Sequence, residues 1–540
     1  MATCTVARSI VTALQARRVR RIFGVPGGGS SLDIMAEASA LGIDFVLTRT
    51  ESAAVMMAAA GAELSGVLGV ALVTKGPGTA NAINGLAYAS LDRAPVLLLT
   101  DGFTADERGY VTHQVFDQAA LARPLTKGSL FLGNPAEIAS VPALLDLALT
   151  APLGPVMIEL TSETARAAGA VVGSTRWTEP ELGGQASAES ITHAHQLLAK
   201  ARRPVMVVGL EARTEPIANA VTRLAELLGC PVLTTYKARG VLPSTHENYV
   251  GNFTSGAAEA PCMEAADLIV LIGLDPVELL RQRWRYRAPV IDIATIQHAV
   301  HYVKAQAGLY GSIVVALQEL AQQARRSQWN AAQIAEFRAT MLVSLRYITD
   351  GGLGPQEVVE GAWQAAAARG LRPRIAVDAG AHMFSALAFW PCGAPCDVSI
   401  SNGLATMAFA LPAAIAIALH DRNRPVVAFT GDGGLFMCIG ELSTAVAQRA
   451  RVIVIVFNDA SLSLIDIKQQ QRQLPPLGVR WERPDFAAVM SGLGGLGLRA
   501  ANAAQYRLAV ESAYEHDGPV LIDVAIDPRG YPAQLRALRG

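Results

Sequence analysis

Charge is scarce in this chain of 540 residues: Asp, Glu, Lys and Arg make up only 17%, against 51% hydrophobic residues. Such a composition excludes intrinsic disorder, which needs low hydrophobicity and a large net charge. The charge that is present is balanced, 45 Lys and Arg against 46 Asp and Glu. Without a basic excess, neither nucleic acid nor an anionic membrane surface is an expected partner. Long apolar runs are missing too. The longest, Leu404 to Leu419, is shorter than a bilayer span and contains Pro412, so it reads as a buried core helix. The six cysteines are scattered, and only Cys392 and Cys396 lie close together, with no second pair. That spacing supports neither a zinc site nor a disulfide framework, and with no secretory signal the expected compartment is a reducing cytoplasm.

The start of the chain through Arg21 carries several arginines and no acid before Asp33, which superficially suits a transit peptide. Its apolar positions Ile10, Leu14, Val19 and Ile22, however, run on into a strand-like segment and a glycine turn, as a first domain helix does. From there, short apolar runs ending in Gly, Asp or Asn alternate with Ala-rich helical stretches, the pattern of parallel sheets covered by helices. The expected fold class is therefore α/β, with three doubly wound parallel-sheet domains at 1–165, 189–345 and 354–540. A Gly-, Ala- and Ser-rich linker is expected from Ala165 to Ala188, a polar helical stretch from Leu317 to Arg346, and a closing turn at Asp350-Gly351-Gly352. The first and third blocks both end in Gly-Pro and a β-branched strand, which suggests two related domains around a different central one.

The most informative segment is a strand, Pro425 to Thr430, followed by Gly431-Asp432-Gly433-Gly434, a helix expected to reach about Gln448, and a strand Val452 to Phe457 ending at Asn458. Glycines at a strand-to-helix turn let backbone N–H groups approach a phosphate. Asp432 and Asn458 would stand at the ends of successive parallel strands, where ligands bind in open α/β sheets. Two hard oxygen ligands beside a phosphate cradle suit Mg²⁺. In the first block, a strand from Ile43 to Thr48 leads through Arg49 and Thr50 to Glu51, an acid opening an Ala/Met-rich helix.

The segment from Gly431 to Asn458, 28 residues inclusive, resembles the diphosphate-binding signature of thiamin-diphosphate enzymes. The likeness extends over the chain to the acetolactate synthase and pyruvate decarboxylase superfamily, with pyrimidine-binding, central and diphosphate-binding domains in that order. It implies thiamin diphosphate and Mg²⁺ as cofactors, the metal held by Asp432, Asn458 and the carbonyl of Ala460. Pro26 and Gly28, in Gly24 to Gly29, resemble the first active-site turn, and Glu51 the glutamate that hydrogen-bonds the aminopyrimidine ring. The loop Lys75 to Asn81 resembles an SGPG-type loop. Gly403 to Ala414, with Thr406 and Met407, resembles the helix whose wedge bends the cofactor into a V. Ala381 and His382 match a diphosphate-contacting loop, joined by Gly431, Gly433, Gly434, Ser461 and Leu462. The resemblance further implies active sites between subunits of a homodimer or homotetramer.

Departures bear on the substrate. Gly251 to Gly256 and Gly273-Leu274-Asp275 stand where acetolactate synthases carry a GMHG-like segment and an arginine for the second 2-oxo acid, and Lys468 stands near a tryptophan position. Lys75 offers a point charge for an anionic group, and His113, beside Gln114, falls where decarboxylases of the superfamily relay protons. The expected reaction is decarboxylation of a 2-oxo acid with ligation of the acyl group to an aldehyde or ketone. A simple decarboxylase, and a pyruvate-oxidase-like enzyme with FAD in the central domain, are the alternatives.

Overall fold

The computed structural model describes residues 3–172, 185–280, 283–347, 349 and 352–539. Three six-stranded sheets organise them. The first contains β1 (Arg21–Val25), β2 (Asp44–Leu47), β3 (Gly69–Val73), β4 (Val96–Asp101), β5 (Gly128–Leu132) and β6 (Val156–Leu160) in the order β2-β1-β3-β4-β6-β5. The central sheet contains β7 (Pro204–Val208), β8 (Val232–Thr234), β9 (Tyr249–Asn252), β10 (Leu268–Ile272), β11 (Val290–Ala294) and β12 (Ala307–Tyr310), ordered β9-β8-β7-β10-β11-β12. The third contains β13 (Arg374–Val377), β14 (Val398–Ile400), β15 (Val426–Gly431), β16 (Val452–Asn458), β17 (Leu496–Ala500) and β18 (Val520–Ala525), ordered β14-β13-β15-β16-β18-β17. The first and third sheets thus share one topology and the central sheet has another, as the two related Gly-Pro endings suggested.

The strands form because their apolar runs are buried on both faces. Every residue of Pro204–Val208, Leu268–Ile272 and Val452–Asn458 is buried, as parallel sheets covered by helices require. Each buried Val, Ile or Leu contributes about 1.5–3 kcal/mol relative to exposure. At the N-terminus the Thr5 hydroxyl accepts the Arg8 N–H and caps helix Val6–Ala16, which buries Ile10 and Leu14. Among the described residues no helix is long and apolar enough to cross a membrane, and all six cysteines are free thiols.

The described residues form two compact units. One gathers the first sheet and its helices with Gly403–Asn423 and Phe436–Val452; the other contains the central and third sheets.

Several elements differ from expectation. The helix expected to run from the glycine turn to Gln448 is two helices, Asp432–Phe436 and Glu441–Ala447, interrupted before Gly440, a poor helix former. The apolar run from Leu404 is helical only over Ala410–His420, because Ala405 and Ala408 take left-handed φ of 55° and 67°, a region disfavoured for residues with a Cβ. The polar stretch is two helices, Ile313–Gln322 and Ala331–Leu345. Of the expected linker, Ala168–Ala170 is a strand paired with Thr3–Thr5, a partner that local composition does not reveal. Residues 173–184 of that linker, and Asp350-Gly351 of the closing turn, lie outside the described residues.

Candidate active site

The sheet topology places one cluster of expected residues. In the third sheet the chain leaves β13 toward β14 on one side and β15 toward β16 on the other, so the crevice beyond the ends of β13 and β15 is a topological switch point. Asp378 and His382 follow β13, and Gly431 to Gly434 follow β15. Thr430 Oγ1 donates to Asp378 Oδ2 at 2.9 Å. A Cβ on Gly434 would lie 2.2 Å from that carboxylate oxygen, so only glycine fits there. His382 is buried and stacked on Phe457 with ring centroids 5.3 Å apart. Burial holds its pKa down at about 4, so the imidazole is neutral.

Four buried polar atoms here lack any partner: Asp432 Oδ2, Asn458 Oδ1, Ser461 Oγ and His382 Nε2. Buried polar atoms left unpaired are costly, and four at or just beyond the carboxyl ends of β13, β15 and β16 mark a polar guest. The orientation of Asn458 is fixed by its neighbour. Its Nδ2 donates to Asp523 Oδ1 at 2.8 Å and to the Pro484 carbonyl at 3.2 Å. Asp523 Oδ2 meanwhile accepts the Phe486 N–H. Because a carboxylate only accepts, the amide must present its N–H to Asp523 and turn its oxygen away. Asp432 keeps one oxygen on the Gly433 N–H at 2.9 Å. Its pKa is pushed up to about 7, mainly by burial and then by the charge of Asp459. Ala460 takes φ 58°, and its carbonyl accepts the Trp481 N–H at 3.1 Å, leaving one lone pair. Leu462 donates its N–H to the Val479 carbonyl. Two orphaned hard oxygens, a carbonyl, a hydroxyl and an imidazole nitrogen fit a divalent cation and a diphosphate.

A second cluster of expected residues lies in the other unit, on the first sheet. Thr50 caps helix Glu51–Ser65 by accepting the Ala53 N–H, which sets Glu51 in the first turn. Asn81 Nδ2 donates to Glu51 Oε2, and the Ser52 hydroxyl donates to the Asn81 carbonyl. The buried Glu441, which sequence reasoning did not single out, accepts the N–H groups of Arg49 and Thr50 at 2.9 and 3.0 Å. Only a contact remote in sequence shows its role. Asp101 fastens the turn after Pro26: Oδ1 accepts Ser30 Oγ and the Ser31 N–H, each at 2.7 Å. A Cβ on Gly27 would lie 2.2 Å from Asp101 Oδ2, whereas one on Gly28 would meet nothing within 4 Å. Close packing therefore demands Gly27, and Gly28 faces open space.

The other expected residues divide. Gly76 packs under Gln114, where an added Cβ would lie 2.7 Å from the Gln114 carbonyl, so the loops of Lys75 and Gln114 meet. Lys75 Nζ lies 3.9 Å from the centroid of the Phe103 ring, a cation–π partner. His113 and Gln114 are exposed, and Gln114 is left-handed at φ 63°. Met407 is half-buried in the irregular segment before Ala410, not within the helix. There Asn84 Nδ2 donates to Thr406 Oγ1 at 3.1 Å.

Comparison with known sequences gives the family. Residues 4–121 match the Thiamine pyrophosphate enzyme, N-terminal TPP binding domain; residues 191–320 match the central domain; and residues 378–524 match the C-terminal TPP binding domain. The acetolactate synthase isozyme 3 large subunit of Escherichia coli K12 is 30% identical over 98% of this chain and 96% of its own length. The chain belongs to the thiamine pyrophosphate enzymes. Similar in extent are the acetolactate synthase of Bacillus subtilis 168, 27% identical over 96% of this chain and 93% of its own, and the catabolic acetolactate synthase of Raoultella terrigena, 28% identical over 98% and 96%. The protein is thus a thiamine-diphosphate-dependent enzyme of carbon–carbon bond chemistry.

The central domain of this thiamine pyrophosphate enzyme does not suit a flavin. Its switch point lies between β7 and β10, where a dinucleotide pyrophosphate would need free N–H groups. The Leu210 N–H there is taken by buried Glu278 Oε2 at 2.8 Å, and Thr235 donates to Oε1 at 2.6 Å. A Cβ on Gly209 would lie 2.4 Å from Leu274 Cα, so the crevice is closed by backbone. Asp275 and Glu211 stand at the same edge, the latter 3.1 Å from His298 Nε2, and carboxylates there oppose phosphate.

Proposed function

We propose that the enzyme decarboxylates a 2-oxo acid and ligates the resulting acyl group to an aldehyde or ketone acceptor. The reading is carried by the orphaned oxygens of Asp432 and Asn458, set in a chain similar along nearly its whole length to acetolactate synthases. Mg²⁺ would be held by Asp432, Asn458 and the carbonyl of Ala460, and the diphosphate by the glycine turn, Ser461 and His382. When bound, thiamin diphosphate supplies a carbon nucleophile and an electron sink for loss of CO₂. Glu51 holds and moves a proton at the aminopyrimidine ring, and Asn81 fixes the direction of its carboxylate. Neutral His382 donates or accepts a hydrogen bond without adding charge. Lys75, backed by Phe103, is the candidate for an anionic substrate group, and His113 with Gln114 for proton delivery. Each cofactor would join the Glu51 half of one protomer to the Asp432 half of another in a homodimer or homotetramer, which light scattering checks. The closed crevice around Gly209 argues against the flavin-linked alternative.

The experiment is NMR of the protein with thiamin diphosphate, Mg²⁺ and ¹³C-pyruvate, with and without an added aldehyde. Acetolactate, acetoin or a mixed acyloin supports the reading. Acetaldehyde as sole product replaces ligation with simple decarboxylation, and unchanged pyruvate rejects pyruvate as donor.

A further inference from the structure

A pocket of about 220 Å³ opens away from the residues above, between strand Tyr249–Asn252, helix Ala331–Leu345 and the C-terminal end of helix His382–Phe389. We propose that it binds a small organic carboxylate with a compact apolar body. The charge argument begins with Arg239, which is only 2% exposed. Its Nη1 donates to Asn252 Oδ1 at 3.2 Å and its Nη2 to the Trp390 carbonyl, and the Tyr249 hydroxyl and Cys392 thiol lie against the same guanidinium. An amide oxygen, a carbonyl, a hydroxyl and a thiol are these partners, and none is a carboxylate. A buried guanidinium without a counter-charge is unfavourable, and an anion in the adjoining space relieves it.

Two further polar groups belong to residues lining the same pocket: the Tyr249 hydroxyl, which faces Arg239, and Trp390 Nε1, which has no partner, on residues 5% and 1% exposed. Together with the Arg239 guanidinium they give a cluster of buried donors, one cationic, that a carboxylate can engage through charge-assisted hydrogen bonds. Arg338 adds a second positive charge on the wall, its guanidinium 5.8 Å from the Tyr249 ring centroid. Arg346 is matched by Glu360, Nη1 to Oε2 at 3.1 Å, so the lining as a whole stays positive.

The rest of the wall sets the size and polarity of the guest. Met341, Leu342, Leu345, Val250 and Phe389 make most of it apolar, so a fully hydrated inorganic oxyanion would leave that surface unused. The volume is below the roughly 300 Å³ at which clefts for drug-sized ligands begin, which excludes a nucleotide. The carbonyls at this helix end do not repel the anion unopposed, since Asn252 Nδ2 takes that of Leu387 at 3.0 Å and Arg239 that of Trp390. The opposite end of the same eight-residue helix carries His382, so occupancy of the pocket braces the helix on which His382 stands.

The test uses the full chain without substrate turnover, so it is independent of the proposed reaction. Sodium 3-methylbutanoate, its neutral amide and sodium sulfate are compared at constant ionic strength by thermal shift and saturation-transfer NMR. The expected result is a saturable rise in Tm and saturation transfer with the carboxylate, neither with the amide, and a smaller shift with sulfate. Arg338→Gln, on the pocket wall, should weaken the carboxylate about tenfold, the worth of one charged hydrogen bond. Should Arg239→Gln fail to fold, Leu342→Trp fills the pocket and should abolish binding. The proposal is overturned if the amide matches the acid, if sulfate reproduces the whole effect, if Arg338→Gln leaves affinity unchanged, or if no shift occurs.

Discussion

The Glu441 carboxylate accepts the backbone N–H groups of both Arg49 and Thr50, and so fixes the two residues immediately before Glu51. Its other oxygen accepts the Thr444 hydroxyl at 2.8 Å, which leaves the side chain a single way to stand. A buried acid so placed is a positioning residue: it aims the helix start from which Glu51 projects. Glu441→Ala would strand two N–H groups, at about 1–3 kcal/mol for each left buried without an acceptor. We expect it to lower the unfolding midpoint in urea and to cut kcat about tenfold or more. Glu441→Gln keeps one acceptor oxygen and should recover most of both. Equal loss in the two variants would show that the charge, not the hydrogen-bond geometry, is what matters.

Glu51 itself should separate binding from turnover. Its partner Asn81 donates to Oε2, and a glutamine keeps the shape while losing the ability to exchange the proton. Glu51→Gln is therefore expected to bind thiamin diphosphate with nearly unchanged affinity by calorimetry, yet to lose about 10²–10⁴-fold in kcat, the usual worth of a positioned acid–base group. Near-normal turnover would remove Glu51 from the reaction.

Asp523 is expected to act on the proposed Mg²⁺ site from behind Asn458. It obliges Asn458 to present Nδ2 toward it and Oδ1 away. Asp523→Asn can offer either an oxygen or an N–H at that point, so the Asn458 amide loses its enforced direction. The expectation is a ten- to hundredfold weaker Mg²⁺ response, typical for loss of a partner behind a metal ligand, read as the Mg²⁺ concentration giving half-maximal thermal stabilisation with thiamin diphosphate present. Activity should return at high Mg²⁺. By contrast, Asp432→Ala removes a ligand, and added Mg²⁺ should not restore it.

How much of this was legible in the sequence follows from the range of each signal. The turn Gly431 to Gly434 and Asn458 at the next strand end are local patterns, and the structure puts them on adjoining strands beside four orphaned polar atoms. Glu51 at a helix start is equally local. Glu441 could not be read, because its partners are nearly 400 residues away in sequence. Nor could the irregular path around Met407, since nothing about alanine announces the left-handed φ of Ala405 and Ala408; an apolar, Ala-rich run scores as helix until tertiary packing overrides propensity. The strand Ala168–Ala170 depends wholly on Thr3–Thr5. The charged pocket around Arg239 joins residues from four separated segments, none of which carries a recognisable motif.

The central domain offers a pH test of its closed crevice. Burial, the largest cause, pushes the Glu278 pKa up to about 8, against about 4.3 in an unfolded chain. Between those values the folded protein holds a proton that the unfolded chain has released. Its contribution to stability is therefore full below about pH 4 and is lost as pH rises through 8, with a slope of at most about 1.4 kcal/mol per pH unit. Glu278→Gln retains an oxygen for the Leu210 N–H and an amide for Thr235, and carries no titrating proton. The wild type should thus lose Tm relative to Glu278→Gln between pH 5.5 and 8.5, with the variant equal or higher at the alkaline end. Other titrating groups are common to both chains and cancel in the difference. Parallel Tm–pH curves for the two proteins would mean that Glu278 is ionised in the fold, and that the crevice is open enough for water to reach it.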